Sequence, residues 1–252
     1  MAAEPRPPFD HQTARAVMAP DPGRGGPIVG AGLQIDVDLD ELTVVAAEFE
    51  HAPAGKVLAW AVERFGRNMS VACSFQDCVI VDLAVQADPD IEVVFLDTGF
   101  HFPETLAFVE DVRRRYDLNL RVVTPGPEAA AWPCGSERCC QMRKVEPLDR
   151  ALSGRDAWVT GLKRCDTPLR ADAPVVSWDP VRNMVKVNPV ATWTDDDVEN
   201  YVADHDLPSH PLAAQGYLSI GCAPTTQPVS PGQDPRSGRW AGTGKTECGL
   251  HA

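Results

Sequence analysis

The sequence lacks three features, and each absence excludes a class of protein. It has no apolar run close to the ~20 residues of a membrane-spanning helix, since runs such as 78–85 are interrupted by Asp82. Its proline-rich start contains no apolar segment, so we expect no secretion and a cytoplasmic location. Basic residues are few, 23 against 36 acidic ones, which gives a net charge of −13. Nucleic-acid binding depends on clustered positive charge and is therefore not expected.

The composition that is present is that of a globular protein. The chain has 252 residues, of which 44% are hydrophobic and 23% charged, enough for one large domain or two small ones. Residues 1–37 are rich in proline and glycine with little periodicity, which predicts a flexible leader. Residues 38–222 carry regular apolar patterns and are predicted to form the main domain. Residues 223–252 are again rich in proline and glycine, and we expect a flexible tail.

Apolar periodicity predicts strands and helices in alternation. The predicted strands lie at residues 70–74, 91–96, 120–124, 157–162, 175–178 and 185–190. The predicted helices lie at residues 38–51, 54–65, 77–87, 103–116 and 194–205. This order is typical of an α/β fold with a doubly wound, mostly parallel sheet. Ligands of such sheets bind at the carboxyl ends of the strands, so residues 74–77, 97–99 and 160–164 are expected to share one crevice.

The eight cysteines raise the question of a metal site. Cys139 and Cys140 are adjacent, and Cys222 lies far downstream. Adjacent cysteines bridge each other only with strain, so two neighbouring thiolates suit a metal ion or an iron–sulfur cluster. Two small buried residues at the start of a helix would give the same pattern, and the pair alone does not decide between these interpretations.

The tail carries a second chemical signal, the sequence KTECGLH at residues 245–251. Cys248 lies on a glycine-rich arm, where a core position is not expected. A thiol on such an arm is well placed to reach a substrate and then to meet a second protein. The alternative is an incidental surface thiol.

The loop after the first predicted strand, SFQD at residues 74–77, occupies the position of a phosphate-binding loop. It lacks the glycines of a Walker loop, which argues against ATP hydrolysis and for a smaller adenylyl ligand. Arginine suits phosphate or sulfate oxygens, and several cations lie near the strand ends and the tail. They are Lys144, Lys163, Arg164, Arg170, Arg236 and Arg239.

Together these motifs carry a resemblance to a known family. The segments are SFQD at 74–77, LDTGFHFPET at 96–105, CC at 139–140 followed by RKVEPL, TGLKR at 160–164, VNPVATWTDDDV at 187–198, GYLSIGC at 216–222, DPRSGRW at 234–240 and KTECGLH at 245–251. Their order resembles the assimilatory adenylyl-sulfate reductases, relatives of the phosphoadenylyl-sulfate reductases. The resemblance covers about residues 40–252 and implies an α/β fold like that of the adenine-nucleotide α-hydrolases.

The resemblance also implies an activity and roles for individual residues. These enzymes reduce adenylyl sulfate to sulfite and AMP, with thioredoxin as electron donor, in sulfate assimilation and cysteine biosynthesis. Cys248 would be the catalytic nucleophile and would carry an S-sulfocysteine intermediate. Lys144, Arg236, Arg239 and His251 match the contacts to sulfate and phosphate. Ser74, Leu96 and Arg164 would lie against the nucleotide.

The chain departs from the family pattern at one cluster ligand. Cys139, Cys140 and Cys222 match three ligands of a 4Fe-4S cluster, but the fourth position is Thr225. Cys134 and Cys165 are the substitutes that the sequence offers. The departure leaves two alternatives open: a phosphoadenylyl-sulfate reductase without a cluster, and a catalytically impaired sulfonucleotide-binding or redox-sensing protein. An assembly of several copies of the chain is also left open.

Overall fold

A six-stranded sheet forms the centre of the part of the chain that the structure, a computed structural model, describes, namely residues 37–241 and 245–251. The strands are β1 Met69–Ala72, β2 Glu92–Leu96, β3 Leu120–Val123, β4 Ala157–Thr160, β5 Val176–Asp179 and β6 Met184–Val187. Their order across the sheet is β3-β2-β1-β4-β6-β5. All neighbours pair in parallel except β5, which runs antiparallel to β6 at one edge. The predicted doubly wound, mostly parallel α/β sheet is thereby confirmed.

Helices connect and cover these strands. They are α1 Leu39–Phe49, α2 Ala54–Phe65, α3 Val79–Ala87, α4 Pro103–Tyr116, α5 Glu137–Cys140, α6 Glu146–Leu152 and α7 Asp195–Asp204. A π-helical turn, Gln141–Val145, joins α5 to α6. Helix α4 begins with a proline at its first turn, and α7 begins with a capping box between Thr194 and Asp197, as their sequences favour. No helix within the described residues is long and apolar enough to cross a membrane.

The central strands are buried on both faces. Val71 of β1 and Val159 of β4 have no exposed surface, and neither has Val93 of β2. Such burial explains why these strands read as nearly continuous apolar runs rather than as alternating ones. The chain leaves β1 toward β2 and β3 on one side and later returns to β4 on the other, so the topological switch point lies between β1 and β4.

Two sequence predictions need correction. The first strand ends at Ala72 rather than at Ser74, because the chain turns sharply at Phe75, whose φ is 55°. The helical segment 137–152 was not among the predicted helices. Its π-helical turn interrupts the 3.6-residue period on which such predictions depend. The predicted leader, residues 1–37, lies outside the described residues except for Val37.

Candidate active site

A cavity of about 250 Å³ opens at the carboxyl ends of β1, β2 and β4. Ser74 lines it from the loop after β1, Leu96 and Thr98 from the end of β2, and Lys163 from the loop after β4. The three strand ends therefore share one crevice at the switch point, as the topology predicts. The volume lies just below the ~300–1,000 Å³ usual for small-molecule sites, and Glu247, Cys248, Leu250 and His251 of the tail segment, residues 245–251, form part of the wall.

Seven of the eight residues that the resemblance assigns to catalysis or ligand binding line this cavity: Ser74, Leu96, Lys144, Arg236, Arg239, Cys248 and His251. Arg164 is the exception. Its guanidinium donates to both carboxylate oxygens of Glu50, at 2.5 and 2.8 Å, and to the backbone carbonyl of Ala173. Arg164 therefore lies outside the wall of this cavity, which the neighbouring Lys163 lines, and its contact with a nucleotide remains a prediction.

The loop after β1 is held in place from two sides. Phe75 is fully buried and packs edge-on against Phe95, with ring centroids 5.5 Å apart. Gln76 accepts a hydrogen bond from the backbone N–H of Ile220 at 3.0 Å and donates one to the carbonyl of Leu218. Gln76 therefore ties this loop to the segment 218–220, a role that the sequence motif did not single out.

Arg239 is hydrogen-bonded to that same segment. Its guanidinium donates to the Ser219 hydroxyl and to the carbonyl of Ile220, both at 3.1 Å. A Cβ at Gly221 would lie 2.2 Å from Arg239 Nη2, so glycine is required for this approach. Burial, with the charge of Arg236 as a second cause, lowers the pKa of Arg239. Two neighbouring cations of this kind form a site for an anion.

Hydrogen-bonding groups remain unused in the cavity wall. Within residues 37–241 and 245–251, five buried side-chain nitrogens have no hydrogen-bond partner, and three of these are Arg236 Nε, Arg239 Nε and His251 Nδ1. All three residues line the cavity. Arginine Nε can only donate, so it needs an acceptor such as a sulfate or phosphate oxygen. Since buried polar groups are normally paired, the two arginine Nε donors indicate a ligand rich in oxygen.

The tail segment is anchored on the N-terminal side of Cys248 by Glu247. Arg170 donates to both carboxylate oxygens of Glu247 at 2.7 Å, and the Thr167 hydroxyl donates at 2.9 Å. Burial raises the pKa of Glu247, but the hydrogen bonds and charge of Arg170 outweigh it and hold that pKa below its usual value. A two-pronged Arg–carboxylate pair of this kind fixes geometry as well as charge.

On the C-terminal side of Cys248, the anchors are apolar and aromatic. Leu250 packs against the buried cluster Leu148, Leu152, Trp158 and Met184. His251 stacks on Trp158, with ring centroids 5.9 Å apart and planes only 8° apart. Burial, followed by the charge of Lys186, lowers the pKa of His251 well below its usual value, so its ring is neutral near pH 7.

Cys248 is thus held between two anchors and among cations. It is half-buried, has no disulfide partner and lines the cavity. Lys144, Arg170 and Arg239 each interact electrostatically with its sulfur. Burial lowers the pKa of Lys144, but the nearby Cys222 and Cys248 sulfurs outweigh this and raise it. A thiol beside cations lies where an anionic electrophile could bind to the same cations.

A second group of thiols lies beside this cavity. Cys139 and Cys140 end helix α5, and Cys222 precedes the short turn that contains Thr225. The Cys222 sulfur lies 3.6 Å from Thr98 Oγ1, and Lys245 Nζ donates to Cys140 Sγ at 3.2 Å. All eight cysteines lie within the described residues, and none forms a disulfide. Clustered free thiols have the donor chemistry that an iron–sulfur cluster takes.

Cys134 belongs to this group of thiols, and Cys165 does not. The Cys134 sulfur lies 3.9 Å from Thr225 Oγ1 and interacts electrostatically with Cys222. Cys165 is exposed, and its thiol donates to the carbonyl of Trp193. Its neighbours Asp166 and Asp195 are ion-paired to Lys163. These three residues therefore form a salt-bridge cluster rather than a metal site.

Comparison with known proteins places this geometry in a family. Residues 67–228 match the phosphoadenosine phosphosulfate reductase domain. The chain is 46% identical over 215 residues to an adenosine 5'-phosphosulfate reductase of Mycolicibacterium smegmatis, covering 82% of this chain and 91% of that protein.

Two solved structures share the fold. A phosphoadenylyl-sulfate (PAPS) reductase of Candida auris superposes with a TM-score of 0.67 at 24% identity, over 77% of this chain and 99% of its own. An FMN adenylyltransferase of Candida glabrata superposes with a TM-score of 0.55 at 15% identity, over 77% of this chain and 69% of its own. The extent of the domain match and the identity to the mycobacterial protein establish that the chain belongs to the phosphoadenosine phosphosulfate reductase family.

Proposed function

We propose that this chain is an adenylyl-sulfate reductase, an oxidoreductase that converts adenylyl sulfate to sulfite and AMP in sulfate assimilation. The observation that carries the proposal is the position of Cys248, a half-buried thiol on the cavity wall beside unpaired arginine donors. Sequence relatives named adenosine 5'-phosphosulfate reductase support the same substrate.

The nucleotide would bind across the strand ends. Ser74 and Leu96 border the part of the cavity at β1 and β2, where an adenosine moiety would lie. Arg236 and Arg239 would direct their unused Nε groups to phosphate and sulfate oxygens, and Lys144 would add a third positive charge. His251, neutral and stacked on Trp158, would donate one hydrogen bond without adding charge.

In the first chemical step, the Cys248 thiolate would attack the sulfur of adenylyl sulfate. The new bond joins Cys248 Sγ to that sulfur, and the bond between the sulfur and the phosphate oxygen breaks. AMP leaves with the electron pair, and Cys248 carries an S-sulfonate. The cations would stabilise the charge that develops on the departing phosphate oxygen, which is where electrostatic catalysis contributes most.

In the second step, a dithiol protein such as thioredoxin would supply the electrons. One of its thiolates attacks Cys248 Sγ, and sulfite leaves with the electron pair of the broken S–S bond. The second thiol of the donor then resolves the mixed disulfide and returns Cys248 to its thiol form, so the donor ends as a disulfide. For this exchange residues 245–251 must leave the crevice, and we propose that these residues are the mobile part of the tail 223–252.

We further propose that the thiols beside the cavity hold a 4Fe-4S cluster. Cys139, Cys140 and Cys222 would each bind one iron through a thiolate. A cluster bound there would join helix α5 to the turn at 223–225 and place its charge beside Lys144 and Lys245. This chain's own contribution to the chemistry stays with Cys248 and the cations around it.

The test is to locate the sulfonate. Anaerobically purified protein is incubated with adenylyl sulfate and digested, and the peptides are weighed by mass spectrometry. We expect a sulfonate-sized adduct on the peptide that carries Cys248, and sulfite release when thioredoxin is added. Cys248→Ser should abolish both while retaining AMP binding, whereas Cys165→Ser, which alters an exposed thiol outside the cavity, should change neither. An adduct on Cys140 or Cys165 would refute the assignment.

The same assay distinguishes the alternatives. Parallel reactions with adenylyl sulfate and with its 3'-phosphorylated form measure substrate preference directly. Binding of either nucleotide with no adduct and no sulfite would instead indicate a sulfonucleotide-binding protein without catalysis.

A further inference from the structure

We propose that the Cys134 thiolate, rather than the Thr225 hydroxyl, completes the ligand set of the iron–sulfur cluster. The inference rests on the proposed function, because it presupposes the cluster. It follows from where the chain brings a cysteine that the family motif does not contain.

Cys134 reaches the position that the motif leaves without a thiol. Its sulfur lies 3.9 Å from Thr225 Oγ1, although the two residues are 91 positions apart in the chain. The loop that carries it packs on Thr225, since a Cβ at Gly135 would lie 3.0 Å from Thr225 Cγ2. Gly135 has a φ of +93°, a conformation that favours glycine and brings the backbone close to the threonine. The missing thiol and the additional thiol are therefore neighbours in space.

Cys134 also interacts with two of the other three cysteines. It interacts electrostatically with Cys222 and with Cys139. Cys140, next to Cys139, is contacted by Lys245. Lys144 interacts electrostatically with both Cys140 and Cys222, which links the four thiols near the carboxyl end of β2, where Cys222 contacts Thr98.

Ligand chemistry favours the thiol over the hydroxyl. Iron in such clusters takes one thiolate per iron, and a threonine oxygen is a hard, weakly acidic donor that replaces sulfur poorly. The Thr225 hydroxyl is moreover already used, because it donates to the carbonyl of Cys222 at 3.3 Å.

The remaining cysteines are engaged elsewhere. Cys73 accepts a hydrogen bond from the N–H of Phe75, and Cys78 donates to the carbonyl of Pro208. Cys165 lies at the surface against Trp193. Cys248 lines the cavity that the substrate would fill. Cys134 is the cysteine whose position fits the vacant ligand role.

The experiment measures iron and acid-labile sulfide per chain, together with the Mössbauer spectrum, in protein purified without air. The variants are Cys134→Ser, Thr225→Cys, the double variant with both changes, and Cys165→Ser as the matched control. In the parent protein we expect about four irons and no distinct iron with an oxygen ligand. Cys134→Ser should lose most of its iron or bleach in air at least about tenfold faster, since removing a ligand should weaken binding at least as much as removing an outer partner.

The double variant keeps the inference testable if Cys134→Ser merely folds poorly. A thiol restored at position 225 should recover the iron content that serine at 134 removes, whereas Thr225→Cys alone should change little. Retention of iron and of the parent's bleaching rate in Cys134→Ser would overturn the inference. Failure of the double variant to recover iron would overturn it as well.

Failure of this inference is distinguishable from failure of the proposed reaction. Sulfite release and the Cys248 adduct report the reaction, while iron content and the Mössbauer spectrum report the ligands. A parent protein that forms sulfite but binds no iron would overturn the ligand inference and leave the reductase reaction standing.

Discussion

The strand ends and the tail segment 245–251 border the same cavity, but different forces hold them. The strands that carry Leu96 and Thr160 are buried on both faces and held by parallel ladders on both sides. The tail segment has no ladder of its own. It is seated by the carboxylate of Glu247, by the Leu250 side chain and by the His251 ring. A few contacts of this kind can break without unfolding the sheet.

The difference suggests a division of labour. Groups that only hold the nucleotide can lie on rigid elements, since they need not move between steps. A nucleophile that must react first with a buried nucleotide and then with a second protein needs to be held by contacts that can break. Cys248 lies between Glu247 and Leu250, so the strength of those neighbouring contacts sets how often it leaves. Weakening the nucleotide contacts and weakening the contacts that hold residues 245–251 in the crevice should therefore give different kinetic effects.

The largest effect is expected at the anion contacts. Arg239→Ala should weaken AMP binding about ten- to a hundredfold, because a charge-assisted hydrogen bond contributes about 1.5–3 kcal/mol. Isothermal titration calorimetry with AMP measures this directly. Arg113→Ala is the control, since Arg113 lies on helix α4 in an ion pair with Glu110 and does not line the cavity. Equal losses in the two variants would remove Arg239 from the binding site.

Gly221→Ala should produce a related but smaller loss. A methyl group at residue 221 would lie 2.2 Å from Arg239 Nη2, so the guanidinium must move away from Ser219 and Ile220. We expect AMP binding about tenfold weaker, at the lower end of the effect of removing Arg239 itself. Gly55→Ala is matched to it, because a Cβ at Gly55 has no atom within 4 Å and helix α2 should accept it. AMP affinity unchanged in Gly221→Ala would contradict the predicted displacement.

Glu247→Gln tests the contacts that hold the tail segment in the crevice. Its one contact with a nucleotide-binding residue is a longer ion pair with Arg236, at 3.7 Å against 2.7 Å to Arg170. Glutamine keeps much of the shape but removes the charge that pairs with Arg170, so the ratio of seated to released tail should fall about tenfold. We expect kcat for sulfite formation to fall while AMP affinity stays nearly constant. Glu199→Gln on the exposed face of α7 is the control. A loss of AMP affinity as large as that of kcat would show that Glu247 acts on the nucleotide site instead.

The sequence could predict the crevice, because period and topology determine it. Apolar runs locate the strands, and parallel strands place Ser74, Leu96 and Lys163 at one edge of the sheet. The sequence could not distinguish Lys163 from Arg164. Both follow β4, and which of the two reaches the cavity depends on the path of the backbone after the strand. Arg164 instead pairs with Glu50, a partner 114 positions away.

The cysteines beside the cavity show even more clearly what sequence spacing cannot predict. Spacing identifies Cys139 and Cys140 as a pair, but it does not show that residue 134 approaches residue 225. That contact depends on the left-handed backbone at Gly135 and on the turn at 223–225, both of which are tertiary features. The helical segment 137–152 was missed for a local reason, its π-helical turn.

The smallest expected effect is a pH dependence of the equilibrium between the tail segment bound in the crevice and the released tail segment. Burial lowers the pKa of His251 well below 6.5 when the ring is stacked on Trp158, whereas a released tail should titrate near 6.5. The released tail therefore binds more protons than the seated tail as the pH falls below 6.5. Binding of the tail segment in the crevice is therefore strongest above pH 6.5 and weakens below it. Glu247 titrates below its ordinary value of 4.5 and does not contribute to this window.

We expect the ratio of seated to released tail to fall about fourfold between pH 7.5 and 6.0, as a single proton linked to release at a pKa near 6.5 requires. The measurement is hydrogen exchange of residues 245–251 without nucleotide, expressed as protection factors so that the intrinsic pH dependence of exchange is removed. His251→Gln cannot take up this proton, so its protection should be lower overall but flat across the same range. If the parent protein is flat as well, or if His251→Gln shows the same fall, a group other than His251 controls the release of Cys248 from the crevice.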